Sequence, residues 1–299
     1  MKKLAIISDL HADINQFIEA EQRILADVLY EQSVTHLHFA GDTANTVERC
    51  LEVIEFFDHL GFQVTYNFGN HELADVHGEE AMNHFPEQHF LNEKYIQMNE
   101  GAVLLGLNGW YDYSFGEEKD FRKVEHTKNV YWYDRYIKRD ASDPVIMERI
   151  IDCTQQLLDE LEHRDYQVTI ATHFVPKQEF IVYQKPPYER WNTLNAFLGS
   201  EKLGELIDSY TNVDHVVFGH THRRFEEKRI HQTAYNCRPF GYYYEWQLTK
   251  RFVLENELVT QYNPMKLRKV LRENKDHFYL YRSKYLADEF RQGMTLLTY

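Results

Sequence analysis

The sequence predicts an α/β fold built around a parallel β-sheet. In the first 70 residues, apolar runs of strand length alternate with longer segments whose apolar residues recur at helical spacing. This strand, helix, strand order implies right-handed crossovers between parallel strands. Polar side chains that can bind metal ions directly follow several predicted strands. Because such folds place their sites at the carboxyl edge of the sheet, the same pattern predicts where a site lies.

The elements of the first part of the chain each rest on a local pattern. The first helix is predicted to begin at Asp13, because Gln16 three positions later resembles a capping pair. Gly61 directly follows the second helical pattern and is a typical helix stop. The resulting prediction is strands over residues 3–8, 35–40 and 62–68, with helices over 13–32 and 46–60.

The rest of the chain is less regular. Residues 109–165 are dense in Trp, Tyr and charge, and predict a largely helical insertion with one helix over 143–163 and an aromatic part that leans over the site as a cap. Residues 176–195 are a second candidate wall. Residues 265–299 predict a basic, aromatic, helical tail on a single domain that spans 1–299. Further strands are predicted over 168–171, 213–218, 230–237, 241–248 and 251–262.

Composition limits the classes of partner. The 299 residues are 43% hydrophobic and carry a formal charge of −14. Such an acidic chain repels long nucleic acid and anionic membranes, but a small phosphorylated substrate is compatible with it once cations are bound. Three widely spaced cysteines form neither a disulfide framework nor a zinc motif, which indicates a cytoplasmic protein. The sequence identifies no oligomeric partner.

Candidate metal ligands follow five of the predicted strands. Because parallel strands present their carboxyl ends on one rim, these residues should converge although they span more than 200 positions. Nitrogen and oxygen donors without thiolates suit manganese, iron or zinc, and a carboxylate such as Asp42 can bridge two ions. The strand ends carry Asp9 and His11, then Asp42, then Asn70, His71 and Glu72, then His173, and finally His220 and His222.

The ordered motifs Asp9-x-His11, Gly41-Asp42, Gly69-Asn70-His71-Glu72, His173 and Gly219-His220-x-His222 resemble those of the calcineurin-like metallophosphoesterases. The resemblance covers residues 1–225 and implies a four-layer αββα sandwich of two mixed sheets flanked by helices. It also implies a site for two metal ions, manganese, iron or zinc. Asp9, His11 and His222 would hold one ion, Asn70, His173 and His220 the other, and Asp42 would bridge them.

The resemblance implies phosphoesterase chemistry on a small phosphomonoester or phosphodiester, with nucleotides among the candidates. Two cations about 3.5–4 Å apart lower the pKa of a bridging water, so that hydroxide attacks phosphorus. His71 would face the leaving group and donate a proton to it or stabilise its charge. Glu72 would orient His71 or a ligand. Either Arg223 or Arg224 could contact a substrate phosphate, with Arg223 the preferred candidate.

Several alternatives stay open at this level. His36 and His38 also have the spacing of paired ligands, but they lie within a predicted strand, so we expect them to be core residues. Asp75 and His77 fit a solvated loop better than the rim of the site. For the whole protein, a noncatalytic scaffold that binds a protein partner is the alternative to an enzyme. A DNA exonuclease is disfavoured by the negative charge.

Overall fold

The computed structural model of the protein describes residues 2–299. Its strands are β1 (Lys3–Ile7), β2 (His36–Ala40), β3 (Gln63–Asn67), β4 (Lys94–Asn99), β5 (Ala102–Leu107), β6 (Gln167–Thr172), β7 (Val213–Phe218), β8 (Lys228–Ile230), β9 (Thr233–Cys237) and β10 (Thr295–Thr298). Its α-helices are α1 (Glu19–Glu31), α2 (Val47–His59), α3 (Asn70–Leu73), α4 (Glu79–Asn83), α5 (Phe121–Tyr131), α6 (Asp143–His163), α7 (Glu201–Asp208), α8 (Gln247–Glu255), α9 (Leu267–Glu273) and α10 (Lys275–Gln292). Short 3-10 segments cover Tyr133–Tyr136, Gln178–Phe180, Glu189–Phe197 and Pro264–Lys266.

The strands form two mixed sheets within residues 2–299. In the first sheet, ordered β10-β1-β2-β3, the strands β1 to β3 are parallel and β10 is antiparallel to β1. In the second sheet, ordered β4-β5-β6-β7-β9-β8, the strands from β5 to β9 are parallel and both edge strands are antiparallel. The predicted α/β fold of two mixed sheets flanked by helices is confirmed.

Alternating side chains of β1 show how the layers pack. Ala5 and Ile7 belong to the large core cluster that also contains the apolar face of α1, whereas Leu4 and Ile6 pack with Leu104 of the second sheet. Because successive side chains of a strand point to opposite faces, one face of the first sheet meets the helices and the other meets the second sheet. This double burial explains why the strand reads as a continuous apolar run.

The carboxyl ends of the two sheets meet at one rim. The N–H of Asp9 donates to the carbonyl oxygen of Gly41 at 3.0 Å, which joins the ends of β1 and β2. In the other sheet, the N–H of Gly219 donates to the carbonyl oxygen of His173 at 3.1 Å, which joins the ends of β7 and β6. Each of these bonds ties two ligand-bearing loops of one sheet. The N–H of His220 links the two sheets, because it donates to the carboxylate of Asp9 at 3.1 Å.

The first helix begins later than predicted. α1 starts at Glu19 rather than at Asp13. Gln16 has a left-handed φ of 53°, which is incompatible with a continuous helix. The side chain of Glu21 instead accepts a hydrogen bond from the N–H of Ile18 at 3.1 Å, so the capping pair lies five residues further along the chain.

The strands predicted over 241–248 and 251–262 are wrong. The chain turns and then forms α8, in which Leu248 and Phe252 lie one helical turn apart and are fully buried. The carboxylate of Glu289, on α10, accepts a hydrogen bond from the N–H of Leu248 at 2.9 Å and so satisfies the start of the helix. This partner is 41 residues away in sequence, which is why the local pattern was misleading.

The C-terminal segment is helical through α9 and α10, but it ends in a strand that the sequence did not predict. β10 pairs with β1 along the edge of the first sheet, with Leu4 opposite Leu297. The helix α6 spans Asp143–His163, as predicted, and connects the parallel strands β5 and β6. No helix among residues 2–299 has both the length and the apolar character needed to cross a membrane.

Candidate metal centre

Two groups of potential ligands converge at the rim and share one residue. Ligand atoms of Asp9, His11, Asp42 and His222 lie within 4.8 Å of one another, and so do those of Asp42, His173 and His220. The Oδ2 atom of Asp42 is 3.8 Å from His11 Nε2 in the first group and 3.4 Å from His173 Nε2 in the second. Asp42 is therefore the residue placed to contact two ions.

The predicted amide ligand belongs to the second group. Asn70 Oδ1 lies 3.2 Å from His173 Nε2, which in turn lies 3.1 Å from His220 Nδ1. In the first group, the Nε2 atoms of His11 and His222 are 3.1 Å apart. Ligands that are about 2.0–2.1 Å from a tetrahedral ion are separated by about 3.3 Å, so these spacings fit metal coordination.

Two motif glycines allow the carboxylates to approach the backbone. A Cβ atom on Gly69 would stand 2.1 Å from Asp42 Oδ1, and one on Gly219 would stand 2.0 Å from Asp9 Oδ2. Both distances are far inside van der Waals contact. The placement of the candidate ligands therefore requires glycine at these positions, which explains why a glycine is part of each motif.

The candidate ligands sit on strained backbone. Non-glycine residues with positive φ each cost on the order of 1–3 kcal/mol, and they cluster at functional sites. The tight loops past the strand ends impose this conformation on Asp9 (56°), His11 (43°), Asp42 (52°), His220 (65°) and His222 (51°). The backbone strain at these residues therefore lowers the stability of the fold while it holds the candidate ligands in place.

The electrostatics of the cluster favour bound cations. Although burial opposes ionisation, the hydrogen bond from His222 and the charge of His173 lower the pKa of Asp9 to about 2. Burial likewise opposes the charge of His173, but Asp42 outweighs it and raises the pKa of His173 to about 9. The buried carboxylates thus stay ionised only because positive charge lies beside them. Nitrogen and oxygen donors around buried negative charge fit manganese, iron or zinc.

His71 lies beside the ligand cluster. Its Nε2 atom is 3.8 Å from Asp42 Oδ2, and its ring is almost fully buried. Its Nδ1 atom is 2.5 Å from the amide oxygen of Asn45, so Nδ1 donates there and Nε2 faces the rim. The hydroxyl of Tyr242 lies 3.3 Å from that Nε2 atom. Sequence reasoning missed both Asn45 and Tyr242.

Glu72 supports the loops rather than the ring of His71. Its Oε2 atom accepts hydrogen bonds from the N–H groups of Asp42 (3.0 Å) and Gly69 (2.9 Å), and its Oε1 atom accepts one from Ala44 (3.0 Å). The carboxylate therefore joins the ends of β2 and β3. Glu72 was predicted to orient either His71 or a ligand. Of these two contacts, the structure shows the one to a candidate ligand, through the backbone N–H of Asp42.

The insertion contributes residues that the sequence did not identify. Asn70 donates from Nδ2 to the carboxylate of Asp134 at 2.8 Å, which turns its oxygen toward the cluster. Tyr133 stacks on the ring of His71 with the ring centres 4.3 Å apart. The only sequence signal was the aromatic density of the insertion, which gave its general placement but no individual residue.

A further residue that the sequence did not identify supports His222. The Nδ1 atom of His222 lies 2.8 Å from a carboxylate oxygen of Glu245, which fixes the ring so that Nε2 faces the cluster. Glu245 lies in the segment wrongly predicted to be a strand. Because that segment was predicted to be a strand, nothing in the sequence indicated that Glu245 would contact the site.

The remaining candidate residues differ in their exposure and in their hydrogen-bond and ion-pair partners. Arg224 pairs with the buried carboxylate of Glu289 at 2.8 Å, whereas Arg223 is exposed and its guanidinium makes no ion pair within the described chain. Arg223 is therefore the one available to a substrate. Asp75 accepts a hydrogen bond from the N–H of Val47 at the start of α2, and His77 is exposed. These two residues belong to a surface loop.

Comparisons with known proteins identify the family of this chain and folds similar to its own. The family model of the calcineurin-like phosphoesterases matches residues 2–224. A phosphopantetheinyl hydrolase from Mycobacterium tuberculosis is similar in structure, with a TM-score of 0.63 and 18% identity over 82% of this chain and 92% of that one. A dimetal phosphatase from Danio rerio gives a TM-score of 0.50 and 14% identity over 79% and 86%. A comparison with curated proteins found no match.

Proposed function

Because this chain belongs to the calcineurin-like phosphoesterase family, and is thus a metal-dependent phosphoric ester hydrolase, we propose that it hydrolyses a small phosphomonoester or phosphodiester at the rim cluster. The observation that carries the proposal is the pair of ligand groups that share Asp42. Asp9, His11 and His222 would hold one ion, and Asn70, His173 and His220 the other. When bound, the two ions make water a nucleophile at neutral pH and offset the charge of the phosphoryl group.

We propose that His71 donates the proton that the leaving oxygen takes up. Its Nδ1–H donates to Asn45, which fixes the orientation of the ring, and Nε2 donates to the departing oxygen when the ring carries a second proton, as imidazolium. Stacking of Tyr133 on one face of the ring keeps His71 away from bulk water. The ring is thus held in one orientation before any substrate arrives, which is the arrangement that general acid catalysis requires.

Two cavities beside the cluster favour a small substrate. A cavity of about 540 Å³ is lined by His222, Glu245 and Arg223. A second, of about 210 Å³, is lined by Trp132, Trp191 and Arg223. Arg223 borders both, where a guanidinium can bind phosphoryl oxygens in a bidentate manner. The phosphate would bind at the cluster, and the organic part would extend into one of these cavities.

The central experiment combines metal analysis with hydrolysis of aryl phosphate monoesters and diesters. The wild type should bind two metal ions and hydrolyse at least one ester class. His71→Ala should lower kcat by about 10²–10⁴-fold on esters with poor leaving groups, and by much less on good ones, because only poor leaving groups need a proton. His77→Ala removes an exposed histidine of the adjacent loop and should behave like the wild type.

Two results would contradict the proposal. Full occupancy by two metal ions without hydrolysis across a broad panel of phosphate esters would exclude the phosphoesterase activity itself. Unchanged activity of His71→Ala on a poor leaving group would leave the activity standing but remove His71 as the proton donor. A loss of metal in His71→Ala would show instead that this residue is a ligand.

Arg223 has its own test. Arg223→Gln should raise KM by about tenfold with a small effect on kcat, since an exposed charged hydrogen bond is worth about 1.5 kcal/mol. Arg122→Gln, another exposed arginine, is the matched control and should leave KM unchanged. If both variants have the kinetic constants of the wild type, Arg223 does not contact the substrate.

A further inference from the structure

A third cavity lies away from the metal centre, between the C-terminal helices and the loop that follows β9. Its volume is about 420 Å³, within the range typical of small-molecule sites. Most of its lining lies beyond residue 224, where the family match ends. The lining residues are Asn15, Gln16, Tyr243, Arg268, Leu271, Arg272, Lys275, Phe278, Tyr279 and Arg282.

The charge of this cavity is opposite to that of the protein. Four of its lining residues are cationic, and none of the described residues that line it is Asp or Glu. The chain as a whole has 47 acidic residues against 33 basic ones. A purely basic concave surface on an acidic protein attracts a small anion locally, while the net charge repels long polyanions.

The cationic groups of this surface have few partners of their own. Arg272 and Lys275 are exposed and make no ion pair within the chain from residue 2 onward. Arg268 donates to the hydroxyl of Tyr244 at 2.7 Å, which leaves other donors of its guanidinium available. These three side chains can therefore turn toward a bound anion without breaking an ion pair.

Arg282 is an independent sign of a missing partner. It is 93% buried, yet its Nε–H has no hydrogen-bond partner. Its Nη2 atom donates to the carbonyl oxygen of Gln16 at 3.3 Å and lies 3.6 Å from Glu21, so the pairing of the guanidinium is incomplete. Other buried donors of the described chain also lack a partner, but Arg282 lies in the lining of the cavity, where a bound anion can accept a hydrogen bond.

Aromatic side chains complete the surface. Phe278 is buried in the wall, Tyr243 lies beside it with the ring centres 6.3 Å apart, and Tyr279 is 50% exposed. Tyrosine faces next to guanidinium groups can stack on a flat ring and bind phosphate at the same time. An inorganic anion alone would not use these aromatic faces.

We propose that this cavity binds a nucleotide, with its phosphates on Arg268, Arg272 and Lys275 and its base on Tyr243 and Tyr279. The site is separate from the metal centre. Tyr242 packs against the ring of His11 at 4.5 Å, whereas the next residue, Tyr243, lines the cavity, so the loop stands between the two sites. Binding here does not depend on the proposed hydrolysis.

The test is calorimetric titration of ADP into the metal-loaded full chain. ADP should bind with a Kd at least tenfold lower than that of adenosine or inorganic phosphate, each of which offers only half of the contacts. Arg272→Glu/Lys275→Glu should weaken ADP binding at least tenfold. Lys266→Glu/Lys284→Glu makes the same change in charge on exposed residues outside the cavity and should leave the affinity unchanged.

Hydrolysis of an aryl phosphate provides the second measurement. Both charge variants should retain wild-type hydrolysis, since neither touches the metal centre. Competitive inhibition by ADP that is the same in all these proteins, together with an ADP Kd that is also the same in all of them, would place ADP at the metal centre alone and overturn the proposal. So would an unaltered Kd in Arg272→Glu/Lys275→Glu, equal weakening in both charge variants, phosphate binding as tight as ADP binding, or no ADP binding. Absence of hydrolysis with intact ADP binding would count against the proposed function alone.

Discussion

Two His-x-His pairs in this chain have the same spacing and opposite environments. His36 and His38 lie within β2, and His220 and His222 follow β7. The first pair hydrogen-bonds to the hydroxyl of Thr65 at 2.8 and 2.9 Å, and is fully enclosed. The second pair belongs to the ligand cluster. Spacing alone therefore does not identify a metal site.

The position relative to the strand end separates the two pairs. Inside β2 the two rings share one sheet face with Ala40, which packs in the layer between the sheets. Past β7 the backbone takes left-handed φ values of 65° and 51°, and Gly219 lets the turn approach Asp9. A strand therefore presents a pair of histidines to the core, whereas the loop at its carboxyl end presents them to a cleft.

The largest effect should come from removing either histidine of the second pair. His220→Ala and His222→Ala should each lose metal and lower kcat/KM by more than about 100-fold, since even residues that only support a ligand cost 10–100-fold. Metal content is measured by elemental analysis and activity with an aryl phosphate. His38→Gln is the control, because it changes a buried histidine of the same motif type and should keep both ions. Metal loss in that control would show that the two pairs are not separate.

The next largest effect is the contribution of His36 and His38 to the pH dependence of the free energy of unfolding. Burial lowers the pKa of His36 to about 3 and that of His38 to about 4. Both are thus neutral in the folded state, whereas the unfolded chain takes up protons near pH 6.5. The stabilisation is complete above that pH and is lost as pH falls toward the folded pKa values, by about 1.4 kcal/mol per histidine between pH 7.5 and 5.5.

Urea denaturation at several pH values measures this effect. The wild type should lose stability between pH 7.5 and 5.5, and His36→Gln/His38→Gln should have a smaller loss across the same interval, whatever its stability at pH 7.5. His59→Gln/His77→Gln removes two histidines from the surface and should keep the wild-type slope. Equal slopes in all three proteins would show that the histidines in β2 are not buried as neutral groups.

The parts of the fold that could be predicted are those set by local pattern. The strands that end before Asp9, Asp42 and Asn70 were placed to within a residue or two, because each is an apolar run closed by a glycine or a polar residue. The structure brings all seven candidate ligands together at one rim. A parallel sheet makes that convergence a consequence of topology, so it did not need any contact to be known in advance.

The parts that could not be predicted depend on distant partners. Asp134 reaches Asn70 across 64 positions, and α8 is completed by Glu289 on another helix. The exposed Arg223 and the partly buried Arg224 also look alike in the sequence, and only the ion pair of Arg224 with Glu289 distinguishes them. In each case the local pattern fits more than one outcome, and tertiary packing selects one.

The smallest effect should come from the support of the second pair. Glu245→Gln keeps the size of the side chain and can still accept a hydrogen bond from His222 Nδ1, but it removes the charge that makes the imidazole a stronger donor to the metal. We expect metal affinity to fall by about tenfold, the low end of the range for such residues. Thr65→Val, which removes the hydroxyl that supports the first pair, should lower stability by about 1–3 kcal/mol with unchanged metal affinity. If Glu245→Gln instead affected only stability, the carboxylate of Glu245 would have the same structural role as the hydroxyl of Thr65. The two histidine pairs would then differ in whether they bind metal, but not in the role of the side chain that hydrogen-bonds to them.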